Sequence, residues 1–338
     1  MLEELTLERF LSHRSAFSLV IDVRSPHEYL ESHLPGALNL PVLSDLEHER
    51  VGTLYKESPF EARILGASLI CANIASALSW LKDSLHPSQK VLIYCARGGQ
   101  RSLSLALILS SIGYQIARLI GGYKGYRAHV AASWQVPRKE SFLTLVGPTG
   151  GGKSELIQSL SWSLDIEGLA RHKGSSFGAI EGEQPSTKMF QNLLFERLLG
   201  LREEPLVAVE GESKRLGNLI LPSPLYERYK SAPKVFIDSP LEARIDRTMQ
   251  EYASISPAFF EGAMQKIARY MNKEAHKAAS LAFWQGDLRR CAELLLVEYY
   301  DKVYKMEPCE YTILHTSKES TLKELERIKG EILSSVRE

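Results

Sequence analysis

Residues 147–154 read Gly-Pro-Thr-Gly-Gly-Gly-Lys-Ser, a full match to G-x-x-x-x-G-K-[S/T]. Four glycines in six positions let successive backbone N–H groups turn inward, so the segment suits a loop folded around an anion. An apolar stretch, 142–146, runs into it, and a helical pattern, 155–164, leaves it. Strand, loop and helix in that order is the context in which this pattern means phosphate binding. Gly147, Gly150, Gly151 and Gly152 supply the cradle, Lys153 reaches a terminal phosphate, and the Ser154 hydroxyl is placed to hold a magnesium ion. The pattern specifies phosphate strongly and a nucleotide weakly, because any diphosphate fits the same amides.

Two later apolar runs, 206–210 and 234–238, read as further buried strands, and the chain from 257 onward is mostly helical, with a late strand at 311–315. Glu210 ends the first run, where phosphate-loop proteins keep a carboxylate near the metal, and Glu212 competes for that role. Asp238 is a weaker candidate, and Arg244 reads first as a solvated helix residue and second as a phosphate contact.

The first half also alternates strands, 18–23 and 90–95, with helices, 26–32 and 101–112, which again predicts a parallel α/β sheet. Cys95 ends the second of these strands and is followed by Ala-Arg-Gly-Gly-Gln-Arg-Ser. A thiol at such a turn faces several N–H groups and a helix start, which favours the thiolate, and Arg97 and Arg101 are placed to grip an oxyanion. Cys71, Cys291 and Cys309 read as structural, and no CxxC pair marks a zinc or disulfide framework. The expected organisation is therefore a domain over 1–130, a linker over 131–140 where periodicity fades, and a phosphate-loop domain with a helical extension over 141–338.

The run Asp22-Val23-Arg24-Ser25-Pro26-His27-Glu28-Tyr29, then 33–41 (HLPGALNLP) and 121–127 (GGYKGYR), resembles the rhodanese signature. That resemblance implies sulfur or selenium chemistry at Cys95, with Asp22 orienting its loop. Five residues separate Cys95 from Arg101, the C-x5-R spacing also found in cysteine-dependent phosphatases. Those carry His before the Cys, and here it is Tyr94, so a phosphatase is the second reading of this domain and a persulfide relay the third.

A rhodanese-like domain followed by a phosphate-loop domain is similar to the tRNA 2-selenouridine synthase family. The segments 49–56, 172–178 (HKGSSFG), 184–186 and 209–213 (VEGES) extend the likeness along most of the chain. Lys173 and Lys214 stand where the family resemblance leads one to expect Arg, keeping the charge but losing the bidentate fork. The resemblance implies a transferase that replaces the sulfur of a wobble 2-thiouridine with selenium from selenophosphate, through an S-geranylated base made from geranyl diphosphate. Lys153 and its loop would cradle the prenyl diphosphate, and Cys95, Arg97 and Arg101 would serve the selenophosphate step. It implies no tightly bound cofactor, with magnesium at Ser154, and an enzyme that supplies selenophosphate as partner.

A tRNA ligand must be reconciled with 41 basic and 41 acidic residues, a net charge of zero. The contact has to be a local patch. Residues 257–282 pattern as one amphipathic stretch, with Met264, Ile267, Met271, Ala275 and Ala278 on one side. Lys266, Arg269, Lys273, His276 and Lys277 fall on the other and are the candidate tRNA-binding face. No 18-residue apolar run and no basic-then-apolar leader is read in the sequence, so no membrane span and a cytoplasmic location are expected.

Overall fold

The computed structural model describes residues 2–178, 182–252, 255–305 and 307–335. They fall into two compact units, Met1–Gln135 with Ser186–Leu193, and Val136–Pro185 with Leu194–Glu338. Each is an α/β unit built on its own parallel sheet.

In the first unit β1 (Glu3–Leu5), β2 (Leu19–Asp22), β3 (Leu38–Asn39), β4 (Lys90–Tyr94) and β5 (Gln115–Leu119) form a sheet ordered β1-β5-β4-β2-β3. Every pairing is parallel. Val91, Leu92, Ile93 and Tyr94 are all buried, because a central parallel strand is covered on both faces. The helix Gln100–Ser111 follows β4 and sends Leu105, Ala106 and Leu109 into the core.

Between β3 and β4 lies a helix pair, Asp45–Glu57 and Pro59–Ser84, that the sequence reading did not anticipate. Ser44 and Glu47 close a capping box at the start of the first helix. Asn73 on the second donates to Val42 O (3.1 Å) and Glu47 Oε2 (2.9 Å), tying it to that cap. The second helix is notably apolar. Residues 64–81 carry no charge, and the helix is long and apolar enough to cross a bilayer by length and composition. Its Ala62, Ile70, Ile74 and Leu81 face are buried, with Ile70, Ile74 and Leu81 in the core of this unit.

The expected linker also shifts. Residues 131–133 still belong to the helix Gly122–Ser133, and Val130 and Trp134 are buried, so the first unit runs to Gln135. Residues 186–193, placed in the second domain by sequence order, pack with the first unit instead. Asn192 donates to His33 O (3.0 Å) and to the Tyr123 hydroxyl (3.1 Å), and it is fully buried. A buried amide has to find such partners, and these tie the segment to the first unit.

The second unit holds β6 (Phe142–Val146), β7 (Ser163–Leu164), β8 (Val207–Glu210), the hairpin β9 (Arg215–Leu216) and β10 (Leu219–Ile220), then β11 (Lys234–Asp238) and β12 (Tyr311–Leu314). The sheet order is β12-β11-β6-β8-β7, all parallel. From β6 the chain first winds to one side and then returns to the other. The carboxyl end of β6 is therefore the switch point, where open α/β sheets bind ligands. The helix leaving that point is Lys153–Ser159, shorter than expected from 155–164. Ser163 Oγ donates to Ile157 O (2.5 Å) and Leu160 O (2.7 Å), folding the chain into β7 beside β8.

The helical extension is also divided differently. Residues 257–282 are not one amphipathic stretch but parts of two helices, Pro257–Ile267 and Lys273–Trp284. Asn272 caps the second, its Oδ1 accepting from Glu274 N (2.8 Å), which is why the pattern breaks. Met264, Ile267 and Met271 are buried as expected, but Ala279 takes the core place expected of Ala278. His276 leaves the basic face, its ring nitrogen bonding Met264 O (3.0 Å).

Candidate functional site

The turn after β4 is built around Cys95, which is 3% exposed. Gly99 N–H and the Ser102 hydroxyl both donate to its Sγ at 3.2 Å. Burial opposes the thiolate, but the Ser102 hydroxyl, the Arg97 and Ser102 amides and the Arg101 charge together pull the pKa below that of an ordinary thiol. Gly122 lies directly against this turn with φ +55°, where a Cβ would meet Cys95 O at 2.2 Å and Gly98 N at 2.6 Å. Tyr123 N and Lys124 N donate to Cys95 O (2.9 Å) and Ala96 O (2.8 Å), so the 121–127 segment holds the loop from beneath.

The two arginines of the loop differ. Arg97 is exposed and lines the cavity at Cys95. Arg101 lines the same cavity, but its guanidinium is already held by Glu28, Nη1 to Oε2 at 2.5 Å. Asp22 is fully buried and bonded to Arg24, with Nε to Oδ1 at 3.0 Å and Nη2 to Oδ2 at 2.6 Å. Its route to the Cys loop runs through the sheet, where Asp22 pairs with Tyr94 on β4. The Arg24 guanidinium stacks over Tyr123 at 4.0 Å, so this buried ion pair braces the segment under the loop.

In the second unit Gly147, Gly150, Gly151 and Gly152 form the turn between β6 and the helix Lys153–Ser159, with Gly147, Gly150 and Gly152 at positive φ. Gly147 passes so close to β11 that a Cβ would meet Ile237 O at 2.5 Å. Lys153 Nζ bonds Gly147 O (2.8 Å) and Pro148 O (3.1 Å) across the loop. Two arginines brace it from outside, Arg244, which the sequence offered as a phosphate contact only in second place, and Arg247, which it did not bring forward. Arg244 is buried, not solvated, donating to Thr149 O (2.9 Å) and pairing with Asp301. Arg247 donates to Gly150 O (3.1 Å) and the Ser239 hydroxyl (2.8 Å). Asp238 ends β11 with its side chain exposed.

Beside Ser154 stand three carboxylates, Glu167, Glu210 and Glu212, with one oxygen from each within 4.8 Å of the others. Glu167 was not foreseen. It arrives on the short helix Ile166–Ala170, and the Ser154 hydroxyl donates to its Oε2 at 2.9 Å. Glu210 is 1% exposed, and neither of its oxygens has a hydrogen-bond partner, the nearby Ser154 hydroxyl being given to Glu167. Burial, then the charge of its acidic neighbours, pushes Glu210 up to about 8 and Glu167 up to about 10. Glu212 is raised too, by burial. An orphaned buried carboxylate among two others fits a divalent cation, whose ligands are hard oxygens of this kind. Ser154, Glu210, Glu167 and Glu212 are the residues that would hold it. Gly174 packs against Glu212, where a Cβ would meet Oε2 at 2.1 Å, which gives the 172–178 segment its place at the site. Lys173 pairs with Glu251 (3.2 Å), and Lys214 donates to the Ser223 hydroxyl (2.7 Å).

Three cavities meet at Thr149, which lines each of them. One, about 90 Å³, is the cradle itself, with Lys153, Ser154 and the three glutamates. The second is an apolar slot of about 60 Å³ walled by Met249, Phe260, Phe283, Leu288, Leu295 and Leu296. Cys291 also lines it, and burial pushes its thiol up to about 12, in keeping with a structural cysteine. The third, about 520 Å³, is polar and rich in lysine and tyrosine. Lys266, Arg269, Lys273 and Lys277 are exposed and line none of these cavities; Arg269 lies over the Tyr270 ring at 4.6 Å.

Residues 140–282 match the model described as tRNA 2-selenouridine synthase AAA domain, and residues 6–129 match the rhodanese-like domain. The tRNA 2-selenouridine synthase of Pseudomonas fluorescens is 34% identical over 331 residues, 88% of this chain and 89% of that one. The protein of the same name in Aeromonas salmonicida is 32% identical over 318 residues, 84% and 86% of the two chains. That of Nitrosomonas europaea is 37% identical over 248 residues, 70% of this chain, and the match spans 64% of the relative's length.

Proposed function

Because the chain belongs to the tRNA 2-selenouridine synthase family, we propose that it is a transferase that exchanges the sulfur of a wobble 2-thiouridine in tRNA for selenium, by way of an S-geranylated base. The observation that carries the prenyl half is the apolar slot beside the phosphate cradle. A nucleotide asks for polar edges around its base, whereas a diphosphate with a hydrocarbon tail asks for a slot of this kind. The free space of about 60 Å³ means that side chains turn aside as the tail enters.

In the first step the thiouridine sulfur attacks C1 of geranyl diphosphate. A carbon–sulfur bond forms, the carbon–oxygen bond breaks, and diphosphate leaves with the electron pair. Lys153 and the amides of residues 150–154 take up the charge that develops on the leaving group. A magnesium ion, when bound at Ser154 and the glutamates, supplies further charge neutralisation there. Alkylation turns a poor leaving group into a thiol that can depart.

The second step is redox-neutral. Selenium in selenophosphate is already at the selenide level, so the Cys95 thiolate has no oxidised selenium to accept as a perselenide. The role open to it is attack on phosphorus: a sulfur–phosphorus bond forms, the phosphorus–selenium bond breaks, and hydrogen selenide ion leaves. Selenium then bonds to C2 of the alkylated base as the C2–sulfur bond breaks, and geranyl thiol departs with the selenide proton. Water cleaves the cysteine–phosphate bond and returns the thiol. The amides that hold Sγ, with Arg97 at the rim, suit the phosphate group of this donor. The cytoplasm is the matching compartment, and an enzyme that makes selenophosphate the matching partner.

The test follows a thiolated RNA by mass spectrometry in the presence of both co-substrates. Lys153→Ala should leave the base unaltered, and Cys95→Ala should stop it at the geranylated form. Equal loss of both steps in both variants would contradict the division of labour, and selenouridine persisting in tRNA from a deletion strain would remove the assignment.

A further inference from the structure

The 520 Å³ cleft beside the phosphate loop is neither the cradle itself nor the apolar slot, and it is lined by charged side chains. Five lysines line it against two glutamates, in a chain whose total charge is zero. Lys153 and Lys173 also line the cradle, but Lys230, Lys234 and Lys305 do not. These three line the cleft outside the cradle. Glu307 holds Lys230 and Lys234, the latter at 3.0 Å, while Lys305 is exposed.

Tyr299, Tyr300 and Tyr304 line the same cleft. The first two sit on a π-helical turn, Leu296–Tyr300, that interrupts the helix continuing from Leu288–Leu295. Such turns interrupt regular hydrogen bonding and are frequent at functional positions. This one brings consecutive tyrosines side by side, ring centroids 4.8 Å apart. Tyr299 is buried and bonded to the Ser176 hydroxyl (3.3 Å), whereas Tyr300 and Tyr304 are half-buried. Half-buried aromatic rings beside a lysine-rich wall are the combination that single-stranded nucleic acid uses, bases on rings and phosphates on cations.

We propose that this cleft is the seat of the acceptor RNA, with the base to be alkylated beside Tyr300 and Tyr304 and its flanking phosphates on Lys230, Lys234 and Lys305. The inference rests on the reading of the chain as a tRNA-modifying transferase and deepens it. It also moves the RNA contact from the helix face at Lys266–Lys277 to a concave surface that shares Thr149 and Tyr300 with the apolar slot. The acceptor and the hydrocarbon donor then approach the same diphosphate.

The experiment measures binding of a fluorescent thiolated anticodon stem-loop RNA to the full chain by anisotropy. Lys230→Glu with Lys305→Glu should weaken binding at least ~10-fold and lower the slope of log K against log salt by about 1 per lost phosphate contact. Inorganic pyrophosphate binding should stay unchanged. Lys266→Glu with Lys277→Glu should leave RNA affinity within about twofold, as expected of charges outside the binding surface. If the first pair binds RNA as the wild type does, or the second pair loses as much, the seat is not this cleft, although the transferase reading survives. If the wild type ignores thiolated RNA altogether, both fail. Photocrosslinking from a 4-thiouridine at the wobble position needs no variant. Attachment to Tyr300 or Tyr304 supports the cleft, and attachment to the helix Lys273–Trp284 overturns it.

Discussion

The Cys95 turn and the 147–154 loop are both anion cradles at the carboxyl end of a central parallel strand, but they treat charge in opposite ways. At Cys95 the cation Arg101 is already balanced by Glu28, and the sulfur is held mainly by neutral donors. The pKa there falls. At the glycine loop one lysine faces three crowded carboxylates, and their pKa values rise. The first cradle is complete within the described residues, ready to present an anion of its own. The second holds protons in places where a cation belongs. A nucleophile needs the first arrangement, and a site that must neutralise a departing diphosphate needs the second.

The largest effect should come from breaking the first cradle alone. Gly122→Ala forces a Cβ into Cys95 O at a backbone angle that L residues avoid, so the loop has to move. We expect a loss of selenation of ~100-fold or more and a stability cost on the order of 3 kcal/mol. Geranylation should persist. Gly99→Ala is the control, since nothing lies within 4 Å of its added Cβ and its φ is −95°. A Gly122→Ala protein that still selenates RNA at the normal rate would show that the cysteine cradle does not depend on this contact.

The second cradle should respond to pH and to cations. Glu210 in the folded chain keeps its proton up to about 8, while in the unfolded chain it loses it near 4.5. Between those values the native state binds more protons, so without a divalent cation stability should fall as pH rises, by at most about 1.4 kcal/mol per unit for one proton. Magnesium affinity should rise over the same range, up to ~10-fold per unit, because the proton must leave before the metal enters. Titration calorimetry from pH 6 to 8, with thermal melts in parallel, reads both. Glu210→Gln should lessen both dependences, with Glu167 and its raised pKa carrying the remainder. Affinity that does not vary with pH would mean that the carboxylates are not the ligands.

The two cradles were also unequally legible. Both loops are local, so Cys95 with Ser102 and Gly147 with Ser154 could be read from contiguous residues, as could β4, β6 and β11. Glu210 and Glu212 were readable because they end a strand. Glu167 was not, since only the fold brings Ile166–Ala170 against Ser154. Arg244 and Arg247 were obscured for a related reason. They serve backbone carbonyls, and no pattern in their own helix marks a partner nearly a hundred residues away. Asp22 looked like a loop-orienting residue, yet its charge is spent on Arg24 two positions along. The candidate tRNA face was drawn on one continuous helix because helical periodicity was carried through Asn272, which starts a new helix.

The smallest effect tests the neutralised cation of the first cradle. Glu28 is held down by Arg101 against the penalty of its own burial, so it is a carboxylate at ordinary pH and offsets the arginine that helps Cys95 ionise. Glu28→Gln removes that negative charge and leaves an amide able to accept from Arg101. The Cys95 pKa should fall further, because an unbalanced cation favours the thiolate. Because Arg101 and Glu28 are 17% and 23% exposed, solvent screens the change, and alkylation of Cys95 by iodoacetamide near neutral pH should quicken only about twofold. Arg101→Gln should slow it by a similar factor. If Glu28→Gln slowed alkylation instead, the carboxylate would be holding Arg101 toward the sulfur, and the cysteine turn would depend on a positioned ion pair much as the glycine loop depends on its charged groups.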